Sequence, residues 1–136
     1  MTLKDFIENA LNNSDTNTIF ELDISKETCK KIKDSIGLNV YKYKFTIKEN
    51  YIRHVKNRHP NDIDLLEKIP DILNTFFQVE KSITRNPQTG GTEISLVFRK
   101  KIDSNIIQMV SLRVIRDKEL SFKTVFRKDT ADQKLP

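Results

Sequence analysis

A single cysteine, Cys29, excludes an internal disulfide, and one cysteine with two histidines falls short of the four soft ligands of a structural zinc site. Glycine is scarce at three residues and tryptophan is absent. No Gly-rich phosphate cradle, Gly-x-Ser-x-Gly elbow, paired-cysteine motif or His-Glu-x-x-His can be found anywhere in the chain, so neither cofactor nor metal is expected. No apolar run approaches the ~20 residues that span a bilayer, and Met1-Thr2-Leu3-Lys4-Asp5 lacks the charged-then-apolar layout of a secretory signal. The expectation is a soluble chain without membrane association, in a reducing or redox-indifferent compartment.

What is present is enough to fold. Hydrophobic residues make up 37% of the 136 positions and charged residues 32%, a balance that fills one core, so a single domain over 1–136 is expected. The net charge of +5 is unevenly spread. Residues 41–60 hold six Lys/Arg and one acid, residues 77–128 hold eleven and five, and the remainder holds seven and thirteen. Two basic segments on an acidic background fit a localised polyanion site, although lysines and arginines also decorate ordinary solvated faces.

Leu3, Phe6, Ile7, Ala10 and Leu11 recur at helical spacing behind Thr2, which predicts a helix over 3–12. Residues 19–24 alternate as a strand. Ser25 opens a second helix with Cys29, Ile32 and Ile36 on its apolar stripe, and Gly37 closes it. Thr46-Ile47-Lys48-Glu49 has the spacing of a capping box for a third helix, Ile47 to about Arg58, stopped by Pro60. Asp64 to Leu73 reads as helical turns interrupted at Pro70. From Phe77 the period becomes two, with strands near 77–85, 92–101, 105–116 and 119–127 joined by short turns. The expected fold is α+β, N-terminal helices followed by a four-stranded antiparallel meander. Its apolar face would hold Ile94, Leu96, Phe98, Ile106, Val110, Leu112, Val114, Leu120, Phe122 and Phe126, and its polar face Arg99, Lys101, Ser111, Arg113, Ser121, Lys123 and Arg127.

Chemistry concentrates in Tyr51-Ile52-Arg53-His54-Val55-Lys56-Asn57-Arg58-His59-Pro60, which carries both histidines. Histidine, with an ordinary pKa of about 6.5, moves protons near neutrality. On one ideal helix five residues turn about 140°, so His54 and His59 share a site only where the helix breaks near Arg58. The plainer reading makes His59 a cationic cap of the helix C-terminus and His54 a surface residue.

The order of features from about Leu22 to Lys128 resembles the phage-associated branch of the barnase, EndoU, colicin E5/D and RelE-like nucleases. Ile52-Arg53-His54-Val55-Lys56-Asn57-Arg58-His59 is similar to the family's hydrophobic-x-His-x4-His helix, Lys68-Ile69-Pro70-Asp71-Ile72-Leu73 to its Ile-Pro-x-Ile segment, and Leu120-Ser121-Phe122-Lys123-Thr124-Val125-Phe126 to its last strand. The chain departs from the pattern at Asn74-Thr75-Phe76, where Asn-Pro-Asp is expected. The resemblance implies a nuclease-like core at about 22–128, preceded by a helical extension (1–21) and followed by a tail (129–136). It further implies a metal-independent endoribonuclease of phage, prophage or toxin type, cytoplasmic in action and virion-delivered, with RNA as substrate and a cognate immunity or antitoxin protein as partner. His54 and His59 would be the acid-base pair, Thr124 would orient or donate to the phosphate, and Arg58, Arg99, Arg113 and Lys123 would bind phosphates. The alternative is a nonenzymatic nucleic-acid-binding or virion-associated module that keeps the basic sheet face.

Overall fold

The computed structural model describes residues 1–128; the expected tail, 129–136, lies outside them. Helix α1 spans Leu3–Asn12 because Thr2 and Asp5 cap each other reciprocally and Phe6, Ile7 and Ala10 form one buried stripe. Strand β1, Ile19–Asp23, follows, then α2, Lys26–Ile36, capped by the Ser25 hydroxyl on the Thr28 amide at 3.1 Å. Gly37 ends α2 in the left-handed region at φ 73°, its N–H donating to Lys33 O at 2.8 Å. Strand β2, Lys44–Lys48, runs directly into α3, Glu49–Arg58. A 3-10 stretch, Pro60–Lys68, and α4, Ile69–Thr75, lead to β3 (Gln78–Arg85), β4 (Thr92–Ile102), β5 (Asn105–Val114) and β6 (Glu119–Lys128).

The sheet has six strands in the order β1-β2-β6-β5-β4-β3. The expected four-stranded antiparallel meander exists as β3 to β6 but is only part of a mixed sheet. Strand β2 pairs parallel with β6 (Lys44↔Glu119, Phe45↔Leu120, Thr46↔Ser121), and β1 pairs antiparallel with β2. Strand β6 can accept β2 because the meander leaves its outer edge unpaired. The tight turns hold: Asp103 and Ser104 both have positive φ, as a two-residue hairpin requires. Among the described residues no helix is long and apolar enough to cross a membrane.

Two local expectations are corrected. The capping box at Thr46–Glu49 does not form: Thr46 is a buried strand residue, Lys48 occupies the cap position without a side-chain bond, and Glu49 turns inward. The sheet faces also differ from the alternation read in the sequence. Directly paired residues share a face, and Leu96, Phe98, Ile107, Met109, Leu120, Phe122 and Val125 are buried on the side the helices cover. Val110, paired with Thr124, therefore lies on the opposite, open side, in phase with Ile106, Leu112 and Val114, while Ser111 and Arg113 face the helices. A bulge sets two residues of β6, Phe122 and Lys123, against Ser111, which reverses the phase of the strand. Beyond it Thr124 and Phe126 reach the open face, and Val125 and Arg127 the helix side.

The core between sheet and helices contains Phe6, Ile32, Phe45, Ile47, Ile52, Val55, Leu65, Leu66, Ile69, Ile72, Phe76 and Phe98, all at most 2% exposed. Each such side chain contributes roughly 1.5–3 kcal/mol of burial. Cys29 is buried as well, and burial raises its thiol pKa above the usual value.

Candidate functional site

Strand β2 leaves β6 after Thr46↔Ser121, and α3 then runs along the freed edge of β6 in the same direction. Three contacts in chain order show the alignment. The Lys123 ammonium donates to the Tyr51 hydroxyl and lies 4.1 Å from that ring's centroid. The His59 ring stacks on Phe126 with centroids 4.8 Å apart and planes 16° from parallel. The Arg127 guanidinium binds Asp62 at 2.9 Å and Asp64 at 2.5 Å.

His59 reaches Phe126 because α3 stops there. Its N–H closes the last helical bond to Val55 O at 2.7 Å, its backbone leaves the helix at φ −135°, ψ 60°, and Pro60 starts the 3-10 stretch. The Arg127 clamp on Asp62 and Asp64 ties this stretch to β6. The Arg127 hydrogen bond holds the Asp64 carboxyl below its usual range, and the two carboxylates raise the guanidinium's already high pKa.

Across the open face the register builds a polar row, Gln78↔Arg99↔Gln108↔Phe126, with His59 at its end. Arg99 pairs with Glu80 at 2.8 Å and donates to Gln108 at 3.2 Å and Gln78 at 3.3 Å. The next row is Glu80↔Val97↔Val110↔Thr124. The Thr124 hydroxyl is buried without a hydrogen-bond partner among the described residues, and so are those of Thr46 and Ser121, which are register partners on the same face. Buried hydroxyls normally find partners; these three on one face, like that of Ser111 on the helix side, have none among the described residues.

The structure brings His59, Thr124 and Arg99 to the open face or its margin. His54 is elsewhere. It is exposed on the flank of α3 that also carries Tyr51 and Arg58, at spacings of three and four residues, and Lys123 meets that flank through Tyr51. Among the described residues no hydrogen bond joins His54, His59 and Thr124. Arg113 faces the helix side opposite Leu120, with a buried Nε that has no partner among the described residues. Arg99 and Arg113 thus sit on opposite faces. Phe126, read from the sequence as core, is the platform for His59. Gln108 and the Arg127–Asp62–Asp64 clamp carried no signal in the sequence, because each depends on pairing between distant segments.

A different polar cluster fixes the start of α3. Glu49 is fully buried and accepts from Asn9 at 3.0 Å, Thr18 at 2.9 Å and Thr16. Arg53 donates to the carbonyls of Ala10, Asn13 and Thr16 at 2.8–3.2 Å and lies 3.8 Å from Glu49. Burial pushes the Glu49 pKa up, but the donations from Thr16, Thr18 and Asn9 outweigh it and hold the carboxyl below its usual value.

Compared with known proteins, residues 23–134 match the family model described as phage-Barnase-EndoU-ColicinE5/D-RelE like nuclease3. No curated protein and no solved structure matches the chain.

Proposed function

The chain belongs to the phage-Barnase-EndoU-ColicinE5/D-RelE like nuclease3 family, and from that membership and the geometry along β6 we propose that it is an endoribonuclease working without a metal. The ribose 2′-hydroxyl attacks the adjacent phosphorus, the P–O5′ bond breaks, and a 2′,3′-cyclic phosphate and a free 5′-hydroxyl result. A base accepts the 2′-hydroxyl proton and an acid protonates the leaving O5′. His54 and His59 supply these two roles, with His59 the better placed because it stands against β6. Thr124 donates its unused hydroxyl to a phosphate oxygen once neighbouring side chains part to admit it. Arg58, Arg99 and Lys123 neutralise phosphate charge. Arg113, on the other side of the sheet, is assigned no substrate contact.

The observation that carries the reading is the stacking of His59 on Phe126, two residues from Thr124. The mechanism assigns proton transfer and charge neutralisation to the side chains named. His54 is exposed on α3 whereas His59 stands past its end against Phe126, which favours a second reading, a nucleic-acid-binding or virion-associated module without turnover. Incubating the pure chain with total RNA in EDTA separates the two. Cyclic-phosphate ends that disappear in His59→Ala are expected, and a strict divalent-metal requirement or intact RNA overturns the mechanism. A cognate immunity protein and delivery with a virion belong to the same proposal, tested by co-purification from the native host.

A further inference from the structure

The polar row that starts at His59 and Phe126 crosses β5 and β4 and ends at Gln78, the first residue of β3. Next to Gln78 stands Phe77, which is 53% exposed even though its backbone N–H is anchored to Arg99 O at 2.9 Å. Phe77 lines a cavity of about 380 Å³ together with Thr75, Lys100 and Lys101. Lys100 is committed, donating to the Thr75 hydroxyl at 2.6 Å and lying 3.8 Å from Asp71. Lys101 is exposed and has no hydrogen bond or ion pair among the described residues. A lone exposed phenylalanine is ordinary on a protein surface. A phenylalanine with its backbone anchored to β4 and its ring exposed at a cavity beside an unpaired lysine has the composition of a single-strand subsite. An aromatic face stacks any base, and a cation meets the phosphate next to it.

We infer that Phe77, Lys101 and the cavity between them bind one nucleobase and its phosphate, in a single-stranded RNA whose scissile phosphate lies at β6. This rests on the nuclease reading for the position of the scissile bond, but the binding claim stands on its own. Three strand spacings separate β6 from β3, about 14 Å. At about 3.4 Å per stacked nucleotide this is roughly four nucleotides, fewer if the strand is extended. A hexanucleotide therefore reaches from Phe126 to Phe77 and a dinucleotide does not.

The test uses a fluorescein-labelled 2′-O-methyl hexanucleotide, which cannot be cleaved by 2′-hydroxyl attack, with binding read by anisotropy. Phe77→Ala is expected to weaken hexanucleotide binding about 5- to 150-fold, the range of one base–aromatic stack. Phe77→Trp keeps the affinity, and Lys101→Ala lowers the salt slope by roughly 0.7, one phosphate contact on a single strand. Equal hexanucleotide affinity for the wild-type and Phe77→Ala chains, or no hexanucleotide binding by the wild-type chain, overturns the subsite. Because the probe is uncleavable, weakened binding in Phe77→Ala upholds the subsite even where RNA stays intact, an outcome that strikes the cleavage mechanism alone. His59-dependent cleavage with no effect of Phe77→Ala on the hexanucleotide strikes the subsite alone.

Discussion

The two ends of α3 carry polar clusters of opposite character. At its start Glu49 is completely buried, yet three side-chain donors and the nearby Arg53 satisfy it, and Arg53 in turn satisfies three carbonyls at the end of α1 and in the loop after it. At its finish His59 lies on Phe126 beside a sheet face where the hydroxyls of Thr46, Ser121 and Thr124 have no partner among the described residues. The first cluster consumes its own hydrogen-bonding capacity and so holds α1 and β1, most of which lies outside the family match, onto the nuclease core. The second retains capacity that a phosphate could use. Charge content alone would have ranked them the other way, since Glu49–Arg53 holds two formal charges and the three hydroxyls none.

Glu49→Ala should give the largest effect, because it strips an acceptor from three donors and leaves Arg53 without its carboxylate. A loss of roughly 3–5 kcal/mol in denaturant unfolding is expected, with cleavage per folded molecule little changed. A fall in turnover without a fall in stability would break the division between the two clusters. His59→Ala comes next, with cleavage reduced at least ~100-fold and thermal unfolding moved only by the lost stack, about 1 kcal/mol. If His59 only caps α3, stability drops by a similar amount while cleavage per folded molecule is kept. The same pair of measurements on His54→Ala decides whether the exposed flank of α3 takes part.

Arg127→Ala should cost about 1 kcal/mol, a third-exposed clamp being screened by solvent, and should also shift the His59 ring resonances in NMR spectra as the 3-10 stretch loosens. Unchanged resonances would show that the clamp and the His59 stack are independent. The acid limb sharpens the contrast further. Glu49 and Asp64 have folded-state pKa values below their ordinary 4.5 and 3.8, so their stabilisation is complete above those values and is lost as pH falls through the lower folded ones. The melting temperature should decline below about pH 4.5, and Glu49→Gln should flatten that decline; a flat wild-type profile down to pH 3 would contradict it. The smallest expected effect is on affinity. Arg99→Glu should weaken RNA binding several-fold more than Arg113→Glu, because only Arg99 lies on the open face, and more than reversal at Lys30 or Lys33 on α2.

Local signals were legible in the chain because their physics is local. Thr2, Ser25 and Gly37 bound helices through hydrogen bonds that close within a few residues, and Asp103-Ser104 supplies the positive φ values of a hairpin. The motif around His54 and His59 and the strand bearing Thr124 carry enough residue identity to resemble a nuclease family, and residues 23–134 belong to one. The face of β5 was not legible, because Ile106, Ile107, Met109, Val110 and Leu112 put apolar residues on both phases of the alternation. Only helix packing on one side selects Ile107 and Met109. The bulge at Lys123, the parallel partnership of β2 with β6 and the inward turn of Glu49 were decided by tertiary structure for the same reason. Each depends on a partner at least ten residues away, and the free energy that selects it, a satisfied buried carboxylate or a covered strand edge, exists only once those distant segments have met.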